Sequence, residues 1–292
     1  MDDGRALTGD GTSSPADLAP ADLEVGESVA ARRVQTGINP FVFQYRVLKA
    51  LVLRDIAARH GDKRVGPLMS LVIPVLGIAV MFVVFNLRGK LAPDSLNFGV
   101  FMVTGYPMWN AFRGIYTAVM NAASRADPLL MFPQITQLDL ILAKIIHEVA
   151  LETLVFLVIS VGVMLFMDAP VPTDPLGILF CLWGCSWIGA SMGMVLCSLQ
   201  RAVPFVVMVL NNFMRLGIWV SGVMFTINRL PSWLWPYLKW NPLLHLIEGA
   251  RALWDPAFSA PIFNPGYVMI VGAVLTTLGF IFERASRRLV GA

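Results

Sequence analysis

Residues 228–257, NRLPSWLWPYLKWNPLLHLIEGARALWDPA, form an apolar stretch that contains four prolines and half of the chain's eight tryptophans. A helix rises only ~1.5 Å per residue, so this stretch is too short to cross a ~30 Å hydrocarbon core twice. It is also too apolar for an ordinary aqueous loop. Non-helical backbone is tolerated at membrane depth only where protein or a water-filled cavity covers it. We therefore predict two short helices that enter the membrane and return, a re-entrant helical hairpin.

The composition of the 292-residue chain is that of a membrane protein. Mean hydropathy is +0.68 and 14% of the residues are charged, whereas soluble domains carry about 25%. Six apolar runs each approach the ~17–25 residues that a spanning helix requires. We predict an all-α membrane protein with six transmembrane helices and the re-entrant hairpin before the last. The predicted spans are 67–87, 98–120, 141–167, 175–198, 203–227 and 266–283.

Composition also divides the chain into segments. Residues 1–31 hold seven acidic residues and one arginine among Gly, Ser, Pro and Ala, which predicts a disordered acidic tail. Residues 32–66 form a basic cytoplasmic segment, and residues 67–288 form the six-span domain. With the N-terminus inside, the inner segments collect fourteen Lys and Arg residues and the outer segments five. This bias predicts that both termini are cytoplasmic.

Residues 41–60, just before the first span, have the pattern of an amphipathic helix. Apolar residues recur at helical spacing on one face, and basic residues on the other suit the anionic inner leaflet. The alternative is a basic juxtamembrane segment that only fixes the topology. The residues assigned to this interface helix are Tyr45, Arg46, Lys49, Arg54 and Arg59.

The loop between the second and third spans contains a predicted short helix at 127–133. Asp127 can accept hydrogen bonds from free N–H groups, Pro128 suits the first helical position, and Pro133 marks the end. The apolar residues between them either dock into a partner's groove or pack on the chain's own bundle. They are Leu129, Leu130, Met131 and Phe132.

Arg215 lies near the middle of the fifth predicted span. Such an arginine costs at least ~2.5–3.5 kcal/mol, so it requires a partner or a wet cavity. It either pairs with Glu148 or Glu152 of the third span or contacts an anionic substrate. In the fourth span, Gly189 and Gly193 form a GxxxG motif that lets two helices approach closely, either within one chain or across a homodimer.

Aromatic residues of the re-entrant stretch suit a membrane–water interface. They serve as anchors or, where the ligand is a carbohydrate, as stacking surfaces for sugar rings. These residues are Trp233, Trp235, Tyr237 and Trp240, and together with Arg215 and Glu152 they make up the predicted substrate pathway.

Motifs for enzymatic chemistry are missing from the sequence. It contains no GxxxxGK[ST] loop, no HExxH and no CxxC, so we predict no bound metal or cofactor. Only Glu148, Glu152 and His147 form a cluster that would suit a membrane-embedded transferase. If transport is driven by ATP, the ATPase is a separate polypeptide.

These features together resemble the type-2 ABC exporter permeases, in particular the KpsM-like branch that exports capsular polysaccharide. The resemblance covers roughly residues 41–288. The sequences that carry it are LRDIAARHG at 53–61, RVG at 64–66, LETL at 151–154, Met224-Phe225, Leu230-Pro231, WNPLLH at 240–245, Glu248 and Arg251.

The resemblance implies a homodimer with two copies of a cytoplasmic ABC ATPase, which binds ATP with Mg²⁺. It implies that residues 127–132 couple ATPase movement to the channel, and that the interface helix frames the same contact. The cargo is then a lipid-linked capsular polysaccharide, received by a periplasmic polysaccharide co-polymerase or adaptor, with no role for nucleic acid. The resemblance also implies a location in the bacterial inner membrane. Export of O-antigen, teichoic acid or a drug by the same fold is the alternative.

Overall fold

The computed structural model describes residues 40–60, 66–87, 96–122 and 136–290. The chain divides into two units, Met1–Arg46 and Val47–Ala292, and the contacts below lie within the second unit. The predicted acidic tail at 1–31 and the predicted short helix with Asp127, Pro128, Leu129, Leu130, Met131 and Phe132 lie outside the described residues. The side chain of Arg59 lies outside them as well.

Regular structure in the described residues is entirely helical, as predicted from the sequence. One helix has only four residues, and three 3-10 turns lie between it and the helix before it: Gly217–Trp219, Ile227–Arg229 and Ser232–Leu234. The α-helices are α1 (Pro40–His60), α2 (Gly66–Leu87), α3 (Phe98–Ala122), α4 (Gln137–Phe166), α5 (Pro175–Ala202), α6 (Pro204–Leu216), α7 (Trp235–Leu238), α8 (Pro242–Trp254) and α9 (Pro265–Val290).

Three helices within the described residues are long and apolar enough to cross a bilayer: Gln137–Phe166, Pro175–Gln200 and Pro265–Ser286. They correspond to the third, fourth and sixth predicted spans. Helices α2 and α3 coincide with the first and second predicted spans.

Polar residues fix the starts of α4 and α5. At α4, Thr136 Oγ1 accepts from the Asp139 N–H, and the Asp139 carboxylate accepts from the Thr136 N–H, a reciprocal capping box. At α5, Asp174 Oδ1 accepts from the Gly177 N–H at 2.9 Å, and Pro175 occupies the first helical position. Both ends therefore satisfy N–H groups that have no partner within the helix.

Helix α5 lies at the centre of the bundle and packs most extensively against α3 and α9. In the most apolar 18 residues of α5, 67% of the residues are buried inside the chain, whereas the corresponding share in α9 is 17%. A Cβ atom on Gly189 would lie 2.5 Å from the Phe112 carbonyl oxygen, and one on Gly193 would lie 2.8 Å from that of Tyr116. The GxxxG motif therefore joins α5 to α3 within one chain, and the intrachain alternative is confirmed.

The fifth predicted span, 203–227, is not one unbroken helix, and that prediction is wrong in its second half. Helix α6 ends at Leu216, and Gly217–Trp219 form a 3-10 turn. Gly222 then adopts a φ of 79°, a left-handed conformation that glycine adopts without steric cost. The irregular path is stabilised because Arg251 of α8 donates to the Gly222 and Phe225 carbonyls, which would otherwise need partners within a helix.

Candidate functional site

Helix α8 carries the best-defined polar cluster in the described residues. Its start is set by Asn241, whose Oδ1 accepts from the Leu243 N–H at 3.0 Å, followed by Pro242 at the first helical position. The Asn241 side-chain amide also donates to the Val220 carbonyl at 3.2 Å. Every residue from Leu243 to Arg251 is buried, so other parts of the chain cover α8 on all sides over this stretch.

A buried ion pair links Glu248 to Arg251, one turn apart on α8. Arg251 Nη1 lies 2.9 Å from Glu248 Oε1, and both side chains are fully buried. Arg251 also donates to two main-chain carbonyls, from Nη2 to Gly222 at 2.8 Å and from Nη1 to Phe225 at 3.0 Å. Glu248 Oε1 in turn accepts from the Ile227 N–H at 3.3 Å.

These bonds explain how irregular backbone persists inside an apolar protein. Buried carbonyl and N–H groups outside a helix cost free energy unless they find a partner. In a membrane, water does not supply that partner, and only covered backbone is tolerated. The guanidinium and the carboxylate of α8 supply three such partners to residues 222–227.

Helix α3 packs directly against Arg251. The Arg251 guanidinium carbon lies 4.4 Å from the centre of the Phe101 ring, a cation–π contact. A Cβ atom on Gly105 would lie 3.4 Å from Arg251 Nη2 and 3.3 Å from the Val223 carbonyl oxygen. Glycine at this position therefore lets α3 approach both the arginine and the irregular segment.

Sequence reasoning missed the role of this pair. The five external charges of the topology prediction are Arg88, Lys90, Arg229, Lys239 and Arg251. Arg251 is buried, and without it four external charges stand against fourteen internal ones. The signal in the sequence was a glutamate and an arginine at i and i+3 in an otherwise apolar run, a spacing that brings opposite charges together on a helix.

The predicted pathway charges Arg215 and Glu152 are not brought together. Arg215 lies in the last turn of α6 with an exposed side chain, and it forms no ion pair with Glu148 or Glu152 in the described residues. Glu152 lies on α4 over Gly114, where a Cβ atom would be 3.0 Å from its Oε1. The structural-pair alternative for Arg215 is therefore wrong for the single chain.

The four predicted aromatic residues differ in their surroundings. Trp233, Tyr237 and Trp240 are exposed, as an interfacial anchor or a sugar-stacking surface requires. Trp235 is half-buried, and its indole N–H donates to the Leu230 carbonyl at 3.2 Å. The indole N–H therefore braces the turn, and the ring remains partly exposed.

Helix α1 packs onto the start of α4. Leu51 is buried against Leu140 and Ala143. Beside this contact the Lys144 ammonium group forms an ion pair with Asp55 across 89 positions in sequence. Asp55 was not among the predicted interface residues. Those that the structure describes are all exposed: Tyr45, Arg46, Lys49 and Arg54.

The described part of the chain contains no group of three or more His, Cys, Asp or Glu side chains placed to hold a metal ion. The class of protein follows from three features. The helices are long and apolar, small residues let them pack closely, and side chains of the protein itself satisfy the irregular backbone of the broken segment. This combination defines a multi-span membrane protein. The chain belongs to the ABC-2 type transporter family, which matches residues 46–254. Members of this family are transporter permease subunits and are not themselves catalytic.

Three bacterial proteins are similar to the chain over most of its length. It is 27% identical over 242 residues to the capsule polysaccharide export inner-membrane protein CtrC of Neisseria meningitidis serogroup A, covering 83% of this chain and 91% of CtrC. It is 24% identical over 245 residues to the polysialic acid transport protein KpsM of Escherichia coli, covering 84% and 95%. It is 22% identical over 241 residues to the capsule polysaccharide export inner-membrane protein BexB of Haemophilus influenzae, covering 82% and 91%.

Proposed function

We propose that this chain is the membrane permease of an ATP-driven exporter that moves capsular polysaccharide across the bacterial inner membrane. The observation that carries the proposal is the similarity, over most of the chain, to CtrC, KpsM and BexB, each named for polysaccharide transport or export. A long polar chain cannot pass through hydrocarbon, because each desolvated polar group costs free energy. It requires a protein-lined conduit.

The proposed topology has six crossings with both termini in the cytoplasm. Helices α2, α3, α4, α5 and α9 make five of them. The remaining crossing combines α6 with the irregular backbone at 217–227, which α8 supports from within. Residues 229–254 then form the re-entrant hairpin at the periplasmic end, and the bias of fourteen internal to four external charges supports this orientation.

Arg215 is proposed to contact the acidic polymer or its linker phosphate. Its side chain is exposed on α6 and has no intrachain ion pair in the described residues. A guanidinium in an apolar helix needs a wet cavity or an anionic partner, and its planar fork suits carboxylate and phosphate groups. A pathway between two copies of the chain satisfies both needs. Glu152, Trp233, Trp235, Tyr237 and Trp240 stay in the proposal as further pathway residues.

A second copy of the chain and a separate ATPase complete the proposed transporter. Helix α4 has a row of exposed apolar side chains, including Leu154, Val161 and Leu165, which lipid or a second copy must cover. On the cytoplasmic side, α1 and residues 127–132 form the proposed ATPase contact, and ATP with Mg²⁺ binds on that partner. A periplasmic co-polymerase or adaptor receives the lipid-linked cargo.

Native mass spectrometry of the full-length tagged chain, gently purified from its own membrane, tests this assembly. We expect a complex of two copies of this chain with two copies of an ATPase that contains a phosphate-binding loop. A stable chain with no nucleotide-binding partner would contradict the exporter, and Glu148 with Glu152 would then be re-examined as a catalytic cluster.

A further inference from the structure

A groove of about 520 Å³ lies where the turn before α8 meets the start of α9. Ligand sites typically occupy ~300–1,000 Å³ and combine apolar walls with a few polar groups. This groove has that character. Its walls include Lys239, Trp240, His245, Pro261, Phe263 and Tyr267.

The walls of the groove are held in place by side chains that bond to main-chain atoms. His245 Nδ1 accepts from the Asn264 N–H at 3.2 Å, so the proton is on Nε2, which donates to the Lys239 carbonyl at 2.7 Å. The Tyr267 hydroxyl donates to the Trp240 carbonyl at 2.8 Å. Lys239 and Trp240, which also line the groove, are therefore held at their main-chain carbonyls.

Lys239 and Trp240 give the groove a cationic group next to an aromatic ring. The Trp240 side chain is 71% exposed and offers an aromatic face, while Lys239 is exposed and offers an ammonium group. No carboxylate is among the residues described around the groove, so the lysine charge is not neutralised there. An aromatic face next to a free cation matches a ligand with one apolar face and one anionic group.

We propose that this groove binds a carboxylated sugar unit of the exported polymer as the polymer leaves the permease. A pyranose ring places its C–H face on Trp240 and its carboxylate at Lys239. This inference rests on the proposed function and deepens it, because it assigns a ligand class to the outer face. A phospholipid headgroup would use the same lysine, and Trp240 would suit a lipid interface as well; the similarity to polysaccharide export proteins favours the sugar.

Binding of defined oligosaccharides to the full-length chain in nanodiscs of neutral lipid tests the proposal. The probes are the tetramers of α2,8-linked sialic acid and of galacturonate, with neutral maltotetraose as reference, titrated by saturation-transfer NMR. We expect at least one acidic tetramer to bind more tightly than maltotetraose. Lys239→Gln weakens that binding roughly tenfold and abolishes the preference for acid, while Trp240→Ala weakens all sugars about tenfold. Trp219→Ala, a matched change at an exposed tryptophan outside the groove, leaves binding unchanged.

Several results would overturn the groove as a sugar site. They are equal binding of acidic and neutral tetramers, no binding of either acidic tetramer, and wild-type affinity in both groove variants. Loss of maltotetraose binding when anionic phospholipid replaces neutral lipid, with binding restored in Lys239→Gln, would assign the groove to a lipid headgroup. Cell-surface polysaccharide separates the two levels of the account. If deleting the whole chain leaves export intact, the proposed function fails. If deletion stops export but the groove variants export and bind normally, only the groove assignment fails.

Discussion

Replacing Arg251 with glutamine probes the buried ion pair that supports the broken segment. The shorter neutral side chain removes the donors to the Gly222 and Phe225 carbonyls and leaves the Glu248 carboxylate without its cation. Breaking a buried ion pair by removing one partner costs ~3–5 kcal/mol. In a protein of this size each kcal/mol lowers Tm by ~2–4 °C. We therefore expect Tm to fall by on the order of 10 °C.

The assay is intrinsic tryptophan fluorescence during thermal unfolding of the full-length chain in nanodiscs, at one fixed scan rate. Arg215→Gln is the matched control, because it makes the same replacement at an exposed arginine with no ion pair in the described residues, and its Tm should stay within ~1 °C. Glu248→Gln should cost less than Arg251→Gln, since the amide oxygen still accepts from Ile227 and Arg251. A Tm change below ~2 °C for Arg251→Gln would refute the reasoning that this pair holds residues 222–227.

Three further predictions address other parts of the molecule. Gly189→Ala places a methyl group 2.5 Å from the Phe112 carbonyl oxygen and should destabilise the chain by ~1–3 kcal/mol in the same unfolding assay, whereas Gly162→Ala, with open space around it, should be neutral or slightly stabilising. Asp55→Lys and Lys144→Asp should each lower Tm by a few degrees and the double variant should recover most of the loss; additive losses would show that the ion pair contributes nothing. Arg215→Ala should assemble with normal Tm but reduce cell-surface polysaccharide, with Arg215→Lys intermediate; full export by Arg215→Ala would remove Arg215 from the pathway.

The sequence was sufficient to predict most of the helices. Apolar runs of spanning length correspond to α2–α5 and α9, because hydrophobic length dominates the structure of chains that fold in lipid. Asp174 and Pro175 at the start of α5 follow ordinary capping chemistry. The contact made by Gly189 and Gly193 was left open, since small-residue spacing does not reveal whether the second helix belongs to the same chain.

The end of α6 and the ion pair of α8 were not predictable in the same way. Residues 217–227 are apolar enough to continue a helix, and only the tertiary bonds from Arg251 and Glu248 make the irregular path stable. Hydropathy does not report which side chain meets which carbonyl. For the same reason the sequence left open whether Arg215 pairs with a glutamate of α4 or contacts an anionic substrate, and the structure shows its side chain exposed.

Locating capsular polysaccharide after deletion of this chain from its native cell tests export most directly. The account predicts that polymer disappears from the cell surface and accumulates in the cytoplasm, and that the full-length chain supplied in trans restores surface polymer. Normal surface polysaccharide in the deletion strain, with none retained inside, would contradict the assignment of this chain as the export permease.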